Sequence, residues 1–279
     1  MEGIKNILIA LASDFEDDRK SSALAYGISL ARRTGAHVTV QSASLRLQLR
    51  GTWVPRFAAA LVGAENRRRQ ALTETIAASA RSDAAVAGIN CDTYTPNLPY
   101  LALMRSFADS ARLHDLTVVD AEPAALKLDR DLVEVLLMET GRPMIVVPPG
   151  VEAFECRRAI VAWDGSAKAA RAANDALPFL KATEAVEIVS VLGEKEIGRS
   201  VMGAELAPQL VRHGIAASVN DLQAAHGDVA ETLRAEARQF EADLVVMGGY
   251  VHSRLKELVL GGVTQSLLAR SAVPLFMSY

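Results

Sequence analysis

Residues suited to holding an anion gather near one end of the sequence. Between Val245 and Thr264 an apolar run stops at Gly248-Gly249, a polar stretch carries His252, Arg254 and Lys256, and Gly261-Gly262 heads a helical segment over 263–271. Backbone N–H groups at a glycine-headed helix N-terminus point at whatever lies before it and favour negative charge. Basic side chains beside such a terminus suit a phosphate. Glycines used only as turns between a strand and a helix give the same spacing, so both readings stand at this level. Earlier in the chain, Asp164-Gly165-Ser166 closes a second apolar run, 159–163. An aspartate there can accept hydrogen bonds from a ribose or a base edge, or it can turn the chain and cap the next helix.

Other chemistries are poorly served. The sequence holds no Gly-x-Ser-x-Gly, no His-Glu-x-x-His and no Walker lysine. Asp228 with Glu231 has the spacing of a helix cap, which leaves the neighbouring His226 as a surface residue. His114 and His213 fall at helix ends, where a basic group is favourable. Cys91 and Cys156 are far apart with no CxxC, which argues against a disulfide framework or a structural zinc and reads as two buried fillers. Arg67-Arg68-Arg69 reads as a solvated helix face.

The elements that position these residues alternate. Short apolar runs at 7–12, 38–42, 89–94, 116–119 and 143–147 are separated by helical stretches at 21–33, 53–81, 100–113 and 132–138. Pro148-Pro149-Gly150 interrupts, and the order repeats: strands near 159–163, 186–192, 217–221, 244–247 and 275–277, with helices at 167–180, 205–213, 228–240 and 263–271. Such alternation specifies an α/β fold with parallel strands and helices on both faces. The halves also align in sequence. Residues 5–10 lie over 157–162, residues 115–119 over 243–247 and residues 142–147 over 273–278, at offsets of 152, 128 and 131. A duplicated unit is expected, spanning 1–150 and 151–279, with the extra residues of the first copy in the long helix at 53–81.

Half the residues are apolar, 23% are charged and the formal net charge is −3, which gives no electrostatic footprint for nucleic acid. The N-terminus lacks a basic stretch followed by a signal-peptide core, and no apolar run reaches the roughly 18 residues of a membrane span. A cytoplasmic protein is expected, with no membrane partner.

With these residues in view, the chain resembles the universal stress protein (UspA-like) family in its tandem form. Val161-Ala162-Trp163-Asp164-Gly165-Ser166 is similar to the family's first strand and the aspartate that follows it. Asp243-Leu244-Val245-Val246-Met247-Gly248 is similar to the strand that enters its nucleotide loop, and the residues from Gly248 onward to its Gly-x2-Gly-x9-Gly-Ser/Thr signature. The resemblance implies a five-stranded parallel sheet per half, of adenine nucleotide alpha hydrolase type, with ATP or AMP often bound and no defined reaction. It places Asp164 against the adenosine and Val191 beside the base. Met247, Gly248, Gly261, Gly262, Val263 and Thr264 would line the phosphate path. It also implies that the final strands pair across a two-fold, so that one chain mimics a dimer. Because exposed strand edges invite a partner, a homodimer is expected as well, besides an unidentified protein partner.

Two positions depart from the signature. Val251 stands where the second glycine belongs, at a strain of about 1–3 kcal/mol if the backbone there needs positive φ. Gly262 stands where a hydroxyl belongs, and one lost contact of that kind weakens binding by roughly 1.5–3 kcal/mol, or one to two decades. Thr264, His252, Arg254 or Lys256 could compensate. The expectation is a weak or vestigial ATP or AMP site in the second unit, the alternative being an interaction module that binds no nucleotide. A nucleotide-consuming enzyme would need an attacking group that the sequence does not display. In the first unit Ala12 replaces Asp164 and Asp120 replaces Gly248, and the 120–131 segment has four carboxylates and no glycine. No nucleotide is expected there, since negative charge at a helix mouth repels phosphate.

Overall fold

Strands of Ile, Leu and Val that are apolar on both sides demand cover on both faces, and helices supply it. The computed structural model describes residues 1–13, 21–49, 55–121, 127–192, 203–249, 251–254 and 257–279. The first half runs β1 (Asn6–Ser13), α1 (Ser22–Thr34), β2 (His37–Leu45), α2 (Arg56–Val86), β3 (Cys91–Tyr94), β4 (Asn97–Leu98), α3 (Tyr100–Arg112), β5 (Leu116–Asp120), α4 (Lys127–Glu139) and β6 (Met144–Val147). The second half runs β7 (Arg158–Ala162), α5 (Ala167–Asp175), α6 (Leu177–Leu180), β8 (Ala185–Leu192), α7 (Gly203–Arg212) and β9 (Ala217–Gln223). It continues through α8 (Val229–Gln239), β10 (Leu244–Gly248), β11 (Val251–Arg254), β12 (Glu257–Leu260), α9 (Gly262–Arg270) and β13 (Leu275–Ser278).

Three helix boundaries differ from expectation, one being α4, which begins at Lys127 rather than near 132. Trp53 lies outside the described residues, and the long helix there runs from Arg56 on to Val86. The helix expected over 167–180 is two, because Ala176 ends α5 and α6 restarts with Pro178 in its first turn. Proline is tolerated there, since first-turn N–H groups have no helical partner.

The main sheet is continuous, in the order β3-β2-β1-β5-β6-β13-β10-β7-β8-β9, with β4 also paired to β2. Within each half the pairs are parallel, and the halves meet where β6 runs antiparallel to β13 through Met144↔Met277, Ile145↔Phe276 and Val146↔Leu275. The two halves, five strands each in line and β4 besides in the first, are therefore fused into one 11-stranded sheet whose strand order is mirrored about this junction. The last strands satisfy each other, and the open edges among the described residues are β3 and β9. A second chain has to dock somewhere other than on those last strands.

The duplication extends to hydrogen bonds. Asp115 accepts from the backbone N–H groups of Lys5 and Asn6 at 2.9 and 3.0 Å, and Asp243 from those of Arg157 and Arg158 at 2.7 and 2.9 Å. Ser21 caps α1 as Ser166 caps α5. Both faces of the sheet carry core across the junction. On one face an aromatic chain, Tyr26–Phe154–Phe179–Phe276, steps between halves at centroid spacings of 5.5, 6.0 and 5.4 Å. On the other, Gly249 packs so closely on Leu137 of α4 that an added Cβ would lie 2.4 Å from its Cδ2.

Candidate functional site

Of the residues singled out in the second half, Asp164, Val191, Met247 and Gly248 lie at the carboxyl ends of three adjacent strands. β7 is flanked by β8 and β10, with Ala162 opposite Val189 on one side and Met247 on the other. The chain leaves β7 toward β8 but returns to β10 across the sheet, so this is the switch point where open α/β sheets bind ligands. Asp164, Val191 and Gly248 all lie at or just beyond these strand ends.

Asp164 is exposed and its Oδ1 accepts from the backbone N–H of Ser166 at 2.9 Å, closing a turn that Gly165 permits at φ 72°. The cap of α5 is Ser166, whose Oγ accepts from the N–H of Ala169 at 3.1 Å. Asp164 is thus a turn residue with a solvent-facing carboxylate. Gly248 has a packing reason to be glycine: a Cβ would sit 2.6 Å from the Ala169 nitrogen and 2.7 Å from the Lys168 carbonyl carbon. The side chain of Met247 is in the core at 5% exposure, so only its backbone can face a ligand. Val191 is half-buried at the margin of the same core.

The helix expected after the second glycine pair is α9, with buried Gly261 as its N-cap at φ −61° and ψ 152°. No side chain caps it, and nothing lies within 4 Å of where a Cβ on Gly262 would be. Val263 is 38% exposed and Thr264 only 1%. Burial of Thr264 removes its hydroxyl from the solvent-facing rim, so it is a poor substitute for a hydroxyl at position 262. An uncapped nine-residue helix with open space at its first residue fits an anion. Asp164, in the same half, is exposed.

The polar loop expected between the glycine pairs is a hairpin. β11 and β12 pair antiparallel, Val251 opposite Leu260 and Arg254 opposite Glu257. Val251 is therefore extended, a conformation β-branched residues favour, and the strain considered for a glycine position does not arise. Tyr250 and Lys256 lie outside the described residues, as do the side chains of His252 and Arg254.

In the first half the corresponding position carries a fixed acid. Asp120 Oδ2 accepts from Ser21 Oγ at 2.6 Å and Oδ1 from the Ala23 N–H at 2.8 Å. The carboxylate thus occupies the mouth of α1. Burial pushes its pKa up, opposed by the hydrogen bonds from Ser21, Ala23 and Ser22. Of the acidic segment that follows, residues 122–126 lie outside the described residues. Asp131 accepts from the Tyr100 hydroxyl.

Elsewhere three readings change. Arg69 is 8% exposed rather than solvated, donating to Glu65 and, at 2.9 Å, to the Leu45 carbonyl. Cys91 and Cys156 are free and half-buried rather than buried. Burial, with Asp243 second, pushes the Cys156 thiol up to about 12, and burial with Asp92 raises that of Cys91, so neither is a ready thiolate. A carboxyl pair went unnoticed in the sequence: Glu187 on β8 and Glu236 on α8, 9% and 8% exposed. Burial raises the Glu187 pKa, repulsion by Glu236 and a hydrogen bond to it add to this, and Asn220 and Arg158 oppose. A strand-centre glutamate with a helix partner far along the chain leaves no local signature. Among the described residues there is no cluster of three metal-ligating side chains, and no helix is long and apolar enough to cross a membrane.

Known proteins share the fold. Residues 155–278 match the model of the universal stress protein family. Over the whole chain the fold is similar to a universal stress protein from Archaeoglobus fulgidus DSM 4304, at 16% identity and TM-score 0.68, covering 97% of this chain and 95% of that one. A functionally unknown protein from Pseudomonas aeruginosa PAO1 is similar at 14% identity and TM-score 0.58, covering 99% and 92%. The stress response protein NhaX of Bacillus subtilis (strain 168) is 35% identical over 57 residues, which is 20% of this chain and about a third (34%) of that protein. The second half is thus similar to the universal stress protein family, and the chain as a whole carries an α/β fold similar to that family's, with the strand order mirrored between its halves.

Proposed function

We propose that the chain is a cytoplasmic regulatory protein of the stress response whose second unit holds a weak adenine-nucleotide site and whose first unit is scaffold. The observation that carries this reading is α9: a helix headed by Gly261-Gly262, capped by no side chain, in the unit that also exposes Asp164 beyond the switch point. NhaX, similar over a short stretch of sequence, is itself described as a stress response protein, which supports the general role. Phosphate is bound by the N–H groups of the first turn of α9, and adenosine lies toward Asp164 and Val191. Weakness follows from the missing hydroxyl at 262 and the burial of Thr264. The same two facts favour a second reading, an interaction module that acts through its surfaces and binds no nucleotide.

Calorimetric titration with ATP and AMP separates them. The site reading expects one weak site per chain and, because position 262 has room for a side chain, about 10-fold tighter binding in Gly262→Ser. Absence of binding by both proteins favours the interaction module. Binding that Gly262→Ser leaves unchanged puts the ligand away from α9.

A further inference from the structure

With β6 and β13 paired inside the chain, the surface a second copy could use lies elsewhere, and the outer end of the first half has the right character. Of thirteen large hydrophobic side chains exposed among the described residues, nine belong to that half. On α3 the exposed positions Leu101, Arg105 and Asp109, with the C-cap Leu113, recur at every fourth residue and form one ridge along the helix. Leu101 and Leu113 are each 80% exposed. Isolated exposed leucines need no explanation, but two that bracket a cation and an anion at equal spacing form a pattern.

That pattern is its own complement. Laid antiparallel against a copy about a two-fold axis through its middle, the ridge brings Leu101 beside Leu113 and Arg105 beside Asp109, each contact occurring twice. The neighbouring row, Ala102, Ser106 and Ser110, is small, and with Tyr94 and Leu98 it lines an open groove of about 440 Å³ beside the ridge. A ridge next to a groove on one helix is the arrangement by which two such helices interlock. Charge is also available. Arg105 makes no ion pair among the described residues, while Asp109 accepts from Arg112 of its own helix at 2.6 Å, an exposed pair that contributes little alone. A second copy would set each Asp109 between Arg112 in its own chain and Arg105 across the interface. A foreign partner would have no need of a ridge that reads the same from both ends.

We infer that α3 and the groove beside it dock a second copy of this chain, forming a symmetric dimer. Sedimentation velocity of the full chain over micromolar concentrations tests this, with a species of twice the 29.8 kDa chain mass expected. Arg105→Asp and Asp109→Arg each place like charges face to face and raise the dimer dissociation constant about 10-fold or more. The double variant exchanges the charges and restores the dimer, with thermal melts of all three close to the parent because both positions are exposed. A monomer at every concentration overturns the inference. So does a dimer indifferent to either single reversal, and so does a double variant no better than the singles.

Discussion

Replacing Gly248 with alanine measures how tightly β10 is pressed against α5. The added Cβ would sit 2.6 Å from the Ala169 nitrogen, 2.7 Å from the Lys168 carbonyl carbon and 2.9 Å from the Lys168 Cβ. Ordinary contact begins near 3.4 Å, so relief requires a displacement of about 0.8 Å between strand and helix. Two of the three atoms are backbone in the first turn of α5, which rotamer changes cannot move. The helix end must shift, carrying the Ser166 cap and the Asp164 turn with it. Overpacking of this kind costs about 1–3 kcal/mol. Urea denaturation followed by circular dichroism reads it as a lower midpoint at unchanged slope. If Gly248→Ala matches the parent within about 0.5 kcal/mol, ordinary surface behaviour, the close approach is not what keeps glycine at this position.

Gly262→Ala is the counterpart in open space, with nothing within 4 Å of the new Cβ, and should leave the same midpoint within about 0.5 kcal/mol. Glu187→Gln should change the pH dependence of stability. Because the native state raises the Glu187 pKa, it binds that proton more tightly than the unfolded chain does, so stability falls as pH rises through the native pKa. Melting curves of variant and parent should converge below about pH 4 and separate toward neutrality with the glutamine variant the more stable. Separation in the other sense would mean that Arg158 and Asn220 outweigh burial and Glu236.

The sheet was legible because its signals are local and repeated. The offsets 152, 128 and 131 coincide with the starts of equivalent strands in the two halves, Asn6 with Arg158, Leu116 with Leu244 and Met144 with Leu275. Fusion of the halves could not be read from strand patterns alone, since pairing of β6 with β13 joins residues more than a hundred apart. The hairpin of β11 and β12 is hard to read because its strands are only four residues long and His252-Ser253-Arg254 resembles a polar loop. At the site, sequence located Asp164, Gly248 and the head of α9, but roles depended on tertiary neighbours. Gly248 is explained by Lys168 and Ala169, Met247 by the core, and Asp120 by Ser21, ninety-nine residues away. From sequence Arg69 reads as a surface residue, because its acceptor, the Leu45 carbonyl, is backbone and leaves no trace in composition.

Native mass spectrometry of the full chain in excess ATP asks most directly whether only the second copy of the fold retains a place for an adenylate. One bound nucleotide per chain is expected, because the first half has the carboxylate of Asp120, held by Ser21 and Ala23, where the second has Gly248. Two per chain, or none at millimolar ATP, would contradict it.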